Sequence, residues 1–258
     1  LYVLDEAVGR PPGSAARWWL AQSLRALGAE IATRGGSLVL RRGPAAKVVA
    51  ELARESGARA VHWNGIAQAP HQAVERQLEA ALAKLGIDSQ SFPGDLLVQP
   101  SAIRNKEGRG LRVFTPFWRR VLSLGDPPKP LPAPNKLNGV PDVASDALED
   151  WHLEPTKPDW AGGLRDTWTP GEAGAQSRFQ AFRAERLKDY AAHRDEPAAD
   201  ASSRLSPHLR FGEISPFQLW HRVSPEALGY TAKVGQTNID KFLSEIGWRE
   251  FSWHLLFH

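Results

Sequence analysis

The chain has 258 residues and a formal net charge of +3, and its 42% hydrophobic and 24% charged content is that of a globular protein able to bury a sizeable core. Such a length admits one large domain or two ordinary ones. No run of about 18 apolar residues occurs, so no membrane-spanning helix is expected. The absence of cysteine excludes disulfides, thiolate chemistry and Cys-ligated metal.

Residues 1–5 (LYVLD) read as an apolar strand with no lead-in. A helix is expected over 14–27, capped by Ser14, with Trp18, Leu20, Leu24 and Leu27 at helical spacing. Residues 37–43 read as the next strand. Pro44 then opens a helix through Ser56, stopped by Gly57. Residues 58–64 form a third strand candidate, 71–85 a long helix stopped by Gly86, and 86–92 a weaker strand. This alternation predicts an α/β domain with a doubly wound, Rossmann-like parallel sheet. Its sites should lie beyond the carboxyl ends of the strands. Between Ser101 and Gly125 stand six Lys/Arg and one acid, Glu107, a pattern that suits a solvated basic loop.

From Gly125 to Gly174 prolines crowd in, from Pro127 through Pro141 to Pro170, which argues for a wrapping linker. Trp151, Trp160 and Trp168 within it suggest packing against a domain surface. After Gly174 only helical patterns remain, at 175–193, 203–212, 215–223 and 236–258. The expected division is an α/β domain at 1–125, a linker at 126–174 and a helical domain at 175–258. The last helix stops inside an apolar pattern without cap or breaker, and no methionine occurs, so part of a longer protein is expected.

Two stretches carry chemistry. In EIGWREF (245–251), Glu245, Trp248 and Arg249 share a helix face at i, i+3 and i+4, beside a core stripe of Ile239, Phe242, Leu243 and Ile246. A carboxylate, an indole and a guanidinium together suit a flat, hydrogen-bonding ligand. The same spacing also suits an internal Glu245–Arg249 pair beside a half-buried Trp. In SSRLSPHLRFGEISP (202–216), Ser202, Ser203 and Ser206 place hydroxyls and backbone N–H groups at a helix start, with Arg204 adding charge. Such a start favours phosphate, although serine N-capping explains it equally. His62, His71, His193, His208, His221, His254 and His258 show no metal spacing and read as surface or packing residues; no metal site is expected. Gly35, Gly36 and Gly43 are turn glycines without a following Gly-Lys-Ser/Thr.

Taken together, these residues resemble the DNA photolyase and cryptochrome family, in particular its class I cyclobutane pyrimidine dimer photolyases. Ser202–Pro207 match the family's Thr-Ser-Arg-Leu-Ser-Pro segment with Ser in place of Thr, Phe211–Pro216 its Phe-Gly-Glu-Ile-Ser-Pro stretch, and Trp248–Phe251 its Trp-Arg-Glu-Phe signature. Tyr190 and Arg194 match a Tyr-x-x-x-Arg element, and VFTPFWRR (113–120) resembles a Phe-Thr-Pro-Phe stretch. The resemblance spans nearly the whole chain, with five matches in order.

It implies FAD held in the helical domain by Tyr190, Ser202, Ser203, Arg204, Leu205, Ser206, Phe242 and Arg249. Glu245 and Trp248 would be the catalytic pair facing a flipped-out pyrimidine dimer, and Arg194, Glu245, Trp248 and Arg249 would meet damaged DNA. The implied activity is a light-driven lyase, with a cryptochrome photoreceptor or a (6-4) photolyase as alternatives, acting as a cytoplasmic monomer. The family's opening strand would precede Leu1, and its flavin-ring contacts would come after His258, so these 258 residues alone are expected to be inactive. At 64–70 the chain reads NGIAQAP, without the Asn-Glu pair that holds folate in some relatives. This speaks against a folate antenna and leaves a deazaflavin, another chromophore or an empty site. Phe242 stands where some relatives carry Trp.

Overall fold

The structure, a computed structural model, describes residues 1–140, 143–223 and 234–258. Pro141 of the proline-rich stretch lies outside them. In chain order come β1 (Tyr2–Leu4), α1 (Ser14–Thr33), β2 (Leu40–Arg42), α2 (Ala45–Glu55), β3 (Ala60–Asn64), α3 (Ala69–Lys84) and β4 (Asp88–Phe92). Next are α4 (Phe114–Leu122), α5 (Gly162–Thr167), α6 (Glu172–Ala181), α7 (Tyr190–His193), α8 (Ser206–Arg210), α9 (Pro216–Arg222) and α10 (Val234–Phe257). The chain divides into two compact units, 1–92 with 132–172, and 93–131 with 173–258.

The first unit is α/β. β1 pairs with β2 in parallel, Tyr2 opposite Leu40, and β3 pairs with β4 in parallel, Ala60 opposite Asp88. Each parallel pair is joined by a helical crossover, α1 for the first and α3 for the second, as parallel pairing demands. α2 and α3 share a core of Ala50, Ala53, Leu78 and Leu82, backed by Val61 and Trp63 from β3. α1 begins after Gly13 with no side-chain cap, so Ser14 is the first helical residue and caps nothing. α1 also runs past Gly28 to Thr33, because the helix-favouring stretch after it outweighs the roughly 1 kcal/mol that one interior glycine costs. At α2, Asp5 supplies the missing cap: its carboxylate accepts from the Ala45 amide at 2.8 Å.

The greater part of the proline-rich stretch, 132–172, belongs to this unit. The Leu40 amide donates to Ser145 Oγ (2.9 Å), and the Asp146 amide donates to the Leu40 carbonyl (2.8 Å), which covers the edge of β2. Glu154 accepts from Gln22 and Arg25 of α1, each at 2.5 Å. Of its three tryptophans, Trp151 is buried against Tyr2 and Trp168 packs edge-on to Trp19, while Trp160 is largely exposed.

The second unit is helical, and it includes residues 93–131. This corrects the expected boundary at 125: segment 93–125 belongs with the helical unit, where Phe117 and Val121 of α4 form one cluster with Ile103 and Phe251 of α10. Residues 126–131 also stay with this unit, where Asp126 accepts from the Trp220 indole at 3.1 Å. The expected continuous helix over 175–193 is broken by a π-helical turn at Phe182–Arg186 and a 3-10 turn at Leu187–Asp189. The extra backbone residue of such a turn rotates the side chains after it, and Phe182, Leu187 and Tyr190 all enter the main core. α10 spans 24 residues and sends Ile239, Phe242 and Ile246 into that core at i, i+3 and i+7.

Gly247 of α10 underlies the Trp118 ring of α4. A Cβ at 247 would lie 2.6 Å from the ring. Gly247→Ala should therefore lower the urea midpoint without changing its slope, by about 1–3 kcal/mol of overpacking that exceeds the helix-propensity gain. A raised midpoint would show that Trp118 yields freely.

Candidate functional site

The expected site residues cluster in the helical unit. Tyr190 is buried at the start of α7, edge-on to Phe242 (5.8 Å between centroids) and to Phe182 (5.5 Å). Leu205 and Phe242 join the same core cluster, so both are packing residues as well as members of the expected set. Arg194, four residues after Tyr190, holds its guanidinium 5.8 Å from the tyrosine ring centroid and pairs with Glu245 of α10. Burial pushes the Tyr190 hydroxyl up from its ordinary range, against the opposing Arg194 charge.

Glu245, Trp248 and Arg249 each reach a different neighbour. Glu245 pairs with Arg194 and lies 3.7 Å from Lys241 Nζ one turn earlier; it makes no pair with Arg249. Trp248 is 45% exposed, and its indole stacks on Phe114 with centroids 3.8 Å apart and planes 8° from parallel. Arg249 donates to the Asp95 carbonyl at 2.6 Å and sits 3.2 Å from Glu250.

The phosphate-like segment is an irregular approach to α8. Arg204 adopts a left-handed backbone (φ 51°), a conformation that costs energy in a non-glycine residue, and its guanidinium pairs with Asp200 at 2.9 Å. Asp200 also receives Arg186 at 2.9 Å, so one acid gathers two arginines beside the serines. Among the described residues, no protein group engages the Ser202, Ser203 or Ser206 hydroxyls. Three unengaged hydroxyls next to paired guanidiniums fit a phosphate-bearing group such as FAD.

Five further contributors were not expected as site residues from the sequence. Glu250 is buried at 3% exposure and accepts from the Leu97 amide at 2.8 Å and the Val98 amide at 3.4 Å. Asn238 accepts from the Ala191 amide (2.8 Å) and donates to the Lys188 carbonyl (2.6 Å), tying α10 to the turn that carries Tyr190. His208 and Glu213 form a buried pair at 2.5 Å. His254 is buried, accepting from the Leu111 amide at 2.9 Å. Only Glu250 had a legible signal: it falls four residues after Ile246, an acid in line with the core stripe. No group of three or more potential metal ligands occurs among the described residues, and no helix there is long and apolar enough to cross a membrane.

The α/β unit holds a cavity of about 720 Å³, lined by residues that come after the carboxyl ends of β1 and β2, among them Asp5, Gly9 and Lys47, and by Gln77 of α3. Its size is that of a small-molecule pocket.

The family model described as DNA photolyase matches residues 1–135. The chain belongs to the DNA photolyase family. It is 41% identical over 260 residues to a deoxyribodipyrimidine photo-lyase of Agrobacterium fabrum, covering 100% of this chain and 53% of that protein. It is 28% identical to cryptochrome-1 of Arabidopsis thaliana over 96% of this chain and 37% of the relative. A solved bacterial class III photolyase from Agrobacterium tumefaciens superposes with a TM-score of 0.92 at 41% identity, over 100% of this chain and 52% of that one. The chain thus spans about half the length of these photolyase relatives. The class I likeness expected from the motifs finds no support in these matches, since that solved photolyase is described as class III. The α/β and helical organisation expected from the sequence is that of this chain.

The buried carboxyl of Glu250 generates a pH dependence. Desolvation pushes it from 4.5 up to about 7, against the opposing pull of Arg249 and the two amides. The folded form then keeps its proton where the unfolded form has released it. The contribution of Glu250 to stability is constant below about pH 4.5, declines as pH rises from 4.5 to about 7, and is constant above. Glu250→Gln should flatten that decline, which amounts to roughly 3 kcal/mol, in urea titrations across this range. An unchanged slope would mean the carboxyl ionises in the folded protein as it does in the unfolded one.

Proposed function

We propose that this chain serves the light-driven splitting of cyclobutane pyrimidine dimers in DNA, using FAD, with α10 as the surface that meets the damaged bases. The observation that carries this reading is the pairing of Glu245 with a half-open Trp248 on one helix. The indole has its back on Phe114 and leaves nearly half of its surface open. An open aromatic face receives an unstacked base at roughly 1–3 kcal/mol per base. Glu245 offers an acceptor to the base edge one turn away. Its present partners, Arg194 and Lys241, are cations suited to the neighbouring phosphates.

Ser202, Ser203 and Ser206 would donate to the cofactor's phosphates, and Tyr190, which shares a core cluster with Leu205, would complete the set. When bound, a reduced flavin supplies the electron that light delivers to the dimer. The chain's own residues would hold the flavin and receive the extruded bases. Extruding a damaged pair costs less than extruding intact bases, which contributes to selectivity. A second, light-harvesting chromophore would suit the cavity beyond β1 and β2, whose Lys47 and Gln77 offer polar contacts among apolar walls. The cryptochrome likeness supports a second reading, a blue-light photoreceptor without repair.

In the full-length protein, Glu245→Ala should weaken binding of a dimer-containing oligonucleotide about tenfold or more and lower light-dependent repair, with flavin absorbance per protein unchanged. Unaltered repair would overturn the role of Glu245. Absence of repair by the unsubstituted protein, for cyclobutane and (6-4) substrates alike, would favour the photoreceptor.

A further inference from the structure

Trp248 stands at an exposed edge of α10, where an indole with two free torsions would ordinarily sample several rotamers. Here it is boxed. Phe114 lies parallel to it at 3.8 Å, and Phe251 meets both rings nearly edge-on, 5.9 Å from each. Phe114 is itself fixed. Its ring is 11° from parallel with Trp118 at 6.3 Å, and Trp118 occupies the space left open by Gly247. Phe251 is in turn backed by Phe117 at 5.2 Å. The plane of an exposed ring is therefore set by a chain of buried and half-buried rings reaching back into α4.

We propose that Phe114 is a positioning residue for Trp248, holding the indole plane so that its open face is presented to the extruded base. This rests on the reading of Trp248 as the base-facing residue. A pre-set indole spares the complex the entropy of freezing a mobile side chain, and stacked aromatic pairs contribute beyond the area they bury. Phe114 itself touches no substrate in this scheme, so its influence must pass through Trp248.

The test uses the full-length, flavin-loaded protein and a dimer-containing oligonucleotide. Phe114→Leu should weaken binding roughly two- to tenfold, leave flavin content unchanged and leave repair at saturating DNA nearly unchanged. Phe114→Tyr, which keeps the stack, should restore wild-type affinity. In a Trp248→Ala background, Phe114→Leu should add no further loss. If Phe114→Leu binds as wild type while Trp248→Ala does not, the positioning role is overturned. Equal losses from Phe114→Leu in both backgrounds would overturn it too, because Phe114 would then act independently of Trp248. Should Trp248→Ala alone leave dimer binding intact, it is the base-facing reading that falls.

Discussion

Glu250 is a carboxyl with almost no access to water, and its hydrogen bonds run to a segment with little regular structure. Residues 93–98 lie outside any helix or strand, so their amides have no ladder to satisfy them. An unpaired buried amide and an unpaired buried carboxyl are each costly. Placed together, the Leu97 and Val98 amides and the Glu250 oxygen satisfy one another, which lessens both costs while desolvation still prevails at the carboxyl. Arg249 adds a second tie, to the Asp95 carbonyl. These two adjacent side chains fix the start of the path that leads to α4. Everything α4 brings to α10, from Phe117 under Phe251 to Phe114 behind Trp248, depends on that path.

α10 then divides its labour by helical geometry. Ile239, Phe242 and Ile246 fill the main core, and Glu250, Phe251 and His254 face the 97–121 segment. The remaining side is an outer stripe at i, i+4, i+7 and i+11: Lys241, Glu245, Trp248 and Ser252, half-buried or exposed along its length. A helix anchored on two sides has little freedom to roll. Its third side can therefore hold functional groups at set angles, which a loop would not do as well.

The broad organisation could be read from the sequence because it rests on local periodicity. The βα rhythm of the first 92 residues and the helical spacing of Ile239, Phe242 and Ile246 need no knowledge of partners. Family motifs proposed Glu245, Trp248 and Tyr190 as site residues, which the proposed function takes up. The boundary at 125 misled because nothing in the basic run 101–120 declares which unit Phe117 and Val121 pack against. Prolines announced that 126–174 wraps, and the tryptophans that it packs, but not that Ser145 and Asp146 would close the edge of β2. Asn238, Glu250 and Phe114 act across 47 to 153 or so residues of sequence, distances at which a single sequence carries no pairing signal.

Two glutamates five positions apart on one helix show how the same side chain takes opposite duties. Glu250 is fully enclosed, and breaking its bonds would strand a buried carboxyl, so it stays where it is. Glu245 is nearly a third exposed, paired with the guanidinium of Arg194 and near the ammonium of Lys241. On the proposed reading, Glu245 would exchange Arg194 for the base edge, and the same exchange would free Arg194 for a phosphate. The rigidity of Glu250 would then keep that exchange from disturbing the helix that carries both residues.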